Sequence, residues 1–162
     1  MVKIAIVLIV GFLLLWIIRR ILSRPKNIVR AALDDETLNS AKSQARETVH
    51  LLLAALASPQ TNQTDVTVKK EFQLPDKSSE HLWLNNLTYD GNLIHGEVAN
   101  EPAHLESVNI GDKTSVSPKD ISDWKFLEDN VLVGGYTIRV FYDRMDDKQK
   151  AQFLSEVDFN IE

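Results

Sequence analysis

The feature that most constrains this chain is an apolar run at its start. Ile4 to Ile18 reads IAIVLIVGFLLLWII, with a single glycine at Gly11. A segment apolar on every face has no stripe to turn toward a core and no polar side to leave in water. Fifteen residues cover about 22 Å as a helix, short of a hydrocarbon core of about 30 Å. Val2, Ile21 and Leu22 extend the run, and Val2 to Ile21 reaches about 30 Å, enough for one crossing. Lys3, Arg19 and Arg20 can carry their charged heads to the interface, and Trp16 stands where an interfacial indole belongs. The following Arg-Arg-Ile-Leu-Ser-Arg-Pro lacks the small-residue pattern of a cleaved secretory signal. The expectation is a single-pass anchor over residues 1–22, in contact with membrane lipid.

Charge is divided unevenly around that anchor. Residues 1–33 hold Lys3, Arg19, Arg20, Arg24, Lys26 and Arg30 and no acid; residues 34–162 hold the other 12 bases and all 23 acids, a net charge of −11. Five of the six bases follow the apolar run, so the positive-inside bias puts the C-terminal part in the cytoplasm, with the periplasm as the alternative. Residues 23–33 read as a basic juxtamembrane linker, and residues 34–162 as one soluble domain. The acidity of that domain disfavours nucleic acid as a partner. With no Cys, the chain has no disulfide, no thiolate metal site and no Cys nucleophile.

Within residues 34–162 the hydrophobic period changes once. Leu38, Ala41, Ala45, Val49, Leu52, Leu53 and Leu56 recur at three- and four-residue intervals, which predicts one amphipathic helix from the Asp34-Asp35 caps to Ser58-Pro59. From Val66 to Leu74 apolar and polar residues largely alternate, which predicts a strand. A second strand is expected over His81–Tyr89 and a third over Leu93–Ala99, joined by the Asp90-Gly91-Asn92 turn. Thr114–Ser117 and Trp124–Leu127 read as short strands on either side of a helical turn or bend at residues 118–123. Val131–Phe141 reads as a last strand, broken at Gly134-Gly135 by a bulge or a close backbone approach. Asp146 is placed to cap a short terminal helix that buries Phe153. The class is α+β: a transmembrane helix, then one amphipathic helix on a twisted, mainly antiparallel sheet of five or six strands.

DDETLNSAKSQAR, EHLWL, LIHGEVANEP, IGDKTSVSPKDISDW and VLVGGYTIRVFYDR, in that order, resemble the YegJ-like family of small bacterial proteins, a domain of unknown function (2314). The resemblance runs from about Asp34 to Phe153. Its most specific pieces are Asp120-Ile121-Ser122-Asp123-Trp124 and Gly134-Gly135-Tyr136-Thr137-Ile138-Arg139. It implies an α+β fold and a bacterial source, which makes the expected membrane a bacterial inner membrane. It implies no substrate or reaction.

Reactive motifs are scarce. The histidines His50, His81, His95 and His104 lack zinc-site spacing, so no metal and no cofactor is expected. There is no G-x-S-x-G elbow and no calcium loop, and no catalytic residue is assigned. What remains is a set of binding candidates: His81, Trp83, Asp123, Trp124, Gly134, Gly135, Tyr136 and Arg139. The bland reading packs both Trp rings into the core and gives Asp123 a backbone or Arg139 donor. The sharper reading lets a partner's backbone or a small ligand approach a floor of Tyr136 and Trp124 beside the glycines. The leading expectation is therefore a non-enzymatic, membrane-anchored module whose acidic domain binds another protein, one form being an immunity-like role against a basic toxin. The alternative is an enzyme or small-ligand domain with a site around His81, Asp123 and Tyr136.

Overall fold

The computed structural model describes residues 35–162. The expected anchor, with Lys3, Trp16, Arg19, Arg20 and Arg24, and the basic linker lie outside the described residues. Among the described residues no helix is long and apolar enough to cross a membrane. The order of elements is α1 (Glu36–Glu47), α2 (Val49–Ala57), β1 (Gln63–Gln73), β2 (Ser79–Tyr89), β3 (Ile94–Val98), β4 (Lys113–Val116), β5 (Ile121–Glu128), β6 (Val131–Gly134), α3 (Tyr136–Asp143) and α4 (Asp147–Glu156).

Asp35 starts α1, its Oδ1 accepting from the Thr37 and Leu38 N–H groups at 3.1 and 3.2 Å. Leu38, Ala41 and Ala45 form the buried face. The expected single helix is two, because Thr48 interrupts it. The Thr48 hydroxyl donates back to Gln44 O at 2.7 Å, while the indole Nε1–H of Trp124 donates to Ala45 O at 3.0 Å. A core tryptophan thus takes a helical carbonyl, and α2 resumes with Leu52 and Ala55 buried.

The six strands form one antiparallel sheet in the order β4-β3-β2-β1-β5-β6. The β2–β3 turn is locked by Asp90, whose Oδ1 accepts from Asn92 N and Leu93 N at 2.8 and 2.7 Å. Lys70 of β1 donates to Thr114 Oγ1 of β4 at 2.6 Å, although the two strands stand three places apart. In a flat sheet three spacings come to about 14 Å, beyond a lysine's reach. The sheet is therefore strongly curled. Its inner face, with Val68, Leu82, Leu84, Ile94, Val98, Ile121, Trp124 and Phe126, packs with Ala45, Leu52 and Ala55 into one core.

Two expectations at the C-terminal end change. The bend covers only residues 118–120, and β5 begins at Ile121. The strand expected over Val131–Phe141 ends at Gly134, and the residues after the glycine pair form α3. Asp146 caps α4 in a reciprocal pair with Gln149. Phe153 lies 5.8 Å from the Tyr142 ring and 6.3 Å from that of Phe159. Asn160 then bonds along β6, which covers that edge of the sheet.

Candidate functional site

The strand β5 is buried along almost its whole length, and its alternation sorts the candidate residues. Asp123 pairs in register with Lys69, which pairs on its other side with Trp83, so these three side chains share one face. Trp124 pairs with Val68 and points into the core, stacked 5.7 Å from Phe126 and edge-on to Tyr136 at 6.1 Å. The two tryptophans therefore lie on opposite faces. Trp83 is half-buried, with Lys69 Nζ 4.7 Å and Lys125 Nζ 5.8 Å from its ring centre. Lys125 is also paired with Asp65.

Asp123 is fully buried, and its carboxylate has four donors. Oδ1 accepts from the N–H of Trp124 at 2.8 Å and of Tyr136 at 3.1 Å. Oδ2 accepts from the N–H and the hydroxyl of Thr137 at 2.8 and 2.6 Å. The residue at the N-cap of α3 is Gly135, which has no side chain to cap with. Asp123 supplies that cap from a neighbouring strand, satisfying the first two orphan N–H groups of the helix. Lys69 Nζ donates to Thr137 Oγ1 at 3.0 Å and brings positive charge to the cluster. Burial pushes the Asp123 carboxyl up from the ordinary range, opposed by Thr137 and Lys69. Burial also pushes Lys69 down, opposed by Asp123.

The glycine pair answers to the same junction. Gly134 has φ +72°, and a Cβ there would press on the Trp124 carbonyl and lie 2.9 Å from two carbons of its ring. Gly135 has φ +63° and donates its N–H to Trp124 O at 2.8 Å. The close backbone approach expected at these glycines exists, but Trp124 of the same chain makes it. The expected Tyr136–Trp124 floor for an outside partner is absent, because Trp124 is fully buried. Arg139 does not reach Asp123 either. It donates to Gly134 O, Leu132 O and Glu162 O at 3.0, 2.6 and 2.6 Å, tying α3 and the C-terminus to β6.

His81 belongs to a different group. Its Nδ1 lies 2.7 Å from Ser122 Oγ and its Nε2 lies 3.4 Å from Lys42 Nζ on α1. A lysine ammonium can only donate, so Nε2 accepts and Nδ1–H donates to Ser122. Burial, helped by Lys42, pushes the His81 pKa down to about 4, so the ring is neutral at neutral pH. Ser122 is only 2% exposed. The sequence candidates His81 and Asp123 thus sit on β2 and β5, with β1 between them, and serve separate networks. Lys42, Lys69, Ser122 and Thr137 are not among the binding candidates from sequence, although Ser122 and Thr137 lie within the two most specific motifs. Thr137 carries a usable signal, a hydroxyl residue two positions after the glycine pair that ends a strand. Among the described residues no group of three His, Asp or Glu side chains converges as a metal site.

A family model described as an uncharacterised protein conserved in bacteria, DUF2314, matches residues 35–161, and the chain belongs to that family. Over 73 residues it is 34% identical to a protein of Neisseria meningitidis serogroup B named for ankyrin repeats, covering 45% of this chain and 29% of that one. Over 60 residues it is 35% identical to the uncharacterised protein YegJ of Escherichia coli, covering 37% of this chain and 39% of YegJ. The matched stretches span about a third of these curated relatives. No solved structure matches the chain.

Proposed function

We propose that this DUF2314 chain is a single-pass protein of the bacterial inner membrane whose acidic domain, on the cytoplasmic side, binds another protein without catalysing a reaction. The observation that carries the reading is the state of Asp123. A buried carboxylate is the first place to look for acid–base chemistry, and here both oxygens already hold two donors each while capping α3. Gly134, Gly135, Arg139 and Trp124 are likewise committed to holding the fold together. What faces outward is predominantly acidic, since residues 34–162 carry 23 acids against 12 bases, a net −11. Such a surface steers basic partners toward it and repels acidic ones. An anchor over residues 1–22 concentrates the domain at the membrane, and the bases of residues 19–30 add attraction to anionic lipid.

The test is photo-crosslinking of the full chain in intact cells, with the reactive group at exposed acidic positions such as Glu101 and Glu106. A single stoichiometric partner that is basic, and whose capture fades as salt rises, supports the reading. Recovery of no such partner refutes it. The second reading, an enzyme or small-ligand site near His81, has the His81–Ser122 contact behind it, but the neutral ring donates its Nδ1–H to a buried Ser122 and so is not set to take the serine proton. Labelling of Ser122 by a phosphonate probe, lost in His81→Asn, would turn the choice toward it.

A further inference from the structure

At one end of the curled sheet, apart from the Asp123 network, lies an open cleft of about 430 Å³. Arg46 of α1, Lys70 of β1 and Lys119 of the β4–β5 turn line it together, from three separate elements. Among the described residues none of the three is in an ion pair. That is unexpected in a domain with almost twice as many acids as bases, where carboxylates abound to pair with them. Two acids line the cleft as well. Glu71 is turned to Ser79 and Gln73, and Asp120 is exposed. Lys70 is half-buried, holds Thr114 Oγ1 with one of its three N–H groups, and leaves two for another acceptor. Burial already pushes its pKa down with no carboxylate opposing, the condition a bound anion would relieve. Ser115 and Ser117 add hydroxyl donors to the wall.

We infer that this cleft binds a phosphate-type dianion, gripped by Arg46, Lys70 and Lys119. A carboxylate offers two oxygens in one plane, whereas a phosphate monoester offers three in a pyramid, matching cations that arrive from three elements. The same group could be free phosphate, a small phosphorylated molecule or the headgroup of a phosphomonoester lipid. The inference is independent of the partner proposed above.

The experiment uses the full chain, ¹⁵N-labelled, in zwitterionic detergent micelles, and follows the amide signals of residues 114–117, 119 and 120. One arm titrates inorganic phosphate, and the other dopes the micelles with phosphatidic acid. Saturable shifts with phosphate support a soluble ligand; shifts with doped micelles alone support a lipid headgroup. Lys70→Met should weaken either response at least about tenfold, the scale of one charge-assisted hydrogen bond. Lys119→Gln, on an exposed turn where folding is not at stake, should weaken it by a smaller factor. No saturable shift in either arm, or full responses in both variants, overturns the inference.

Discussion

Replacing Asp123 by Asn tests the reading of that residue as a helix cap supplied by a strand. The amide keeps the shape and half-removes the function, because one of its two terminal atoms becomes a donor. Oδ1 faces two N–H groups, and Oδ2 faces the N–H and hydroxyl of Thr137, so either orientation sets donor against donor in a fully buried place. Each lost charge-assisted bond is worth about 1.5–3 kcal/mol. Lys69 also loses the charge that offsets its burial. Together these give a destabilisation of about 3 kcal/mol, the low end for breaking a buried charged pair. Against a total of about 5–15 kcal/mol for a domain, that is a large fraction. Urea unfolding of the full chain in detergent, followed by tryptophan fluorescence, should show a lower midpoint with an unchanged slope. Thr137→Val should share the loss, so that a double-mutant cycle returns a coupling of about 1–2 kcal/mol. An Asp123→Asn protein within about 0.5 kcal/mol of the parent, or a fully additive cycle, refutes the cap.

Three further outcomes follow from the same geometry. Gly134→Ala should cost about 2–4 kcal/mol, because a left-handed backbone is combined with a clash against the Trp124 carbonyl; a change under 1 kcal/mol in the same urea assay would contradict it. For His81 the folded pKa of about 4 lies below the ordinary 6.5, so as pH falls between those values the unfolded chain takes up a proton that the folded chain refuses. Stability should therefore be lost from about pH 6.5 down to about pH 4. The shift limits the loss to about 3 kcal/mol, and the ring's partial exposure reduces it to about 1–2 kcal/mol. His81→Asn should flatten that part of the pH profile. Trp124→Phe should return Ala45 O to the helix and remove the break at Thr48, visible as new protection of the Val49 amide in hydrogen exchange.

Much of the fold was legible because local and tertiary preferences agreed. The period of Leu38, Ala41 and Ala45, the Asp90 turn and the Asp146 cap all act within a few residues of themselves. The stretch Tyr136-Thr137-Ile138-Arg139-Val140-Phe141 was misread for a physical reason. It is rich in β-branched and aromatic side chains, and its local preference is for a strand. Two left-handed glycines and a carboxylate 13 residues upstream turn it into a helix instead. The Thr48 break was hidden similarly, since its cause is an indole 76 residues away. Candidate residues were found individually, but their grouping was not. Trp83 and Trp124 looked alike in sequence, yet strand parity and the β1 register send them to opposite faces. The cationic cleft gathers residues 46, 70 and 119, which only the curl of the sheet brings together.

The functional account stands most directly on how the full chain partitions. After cell membranes are washed with alkaline carbonate, the account predicts that the whole polypeptide stays in the pellet and leaves it only with detergent. Its appearance in the aqueous wash would contradict the anchor, and with it the proposal of a binding module held at the membrane.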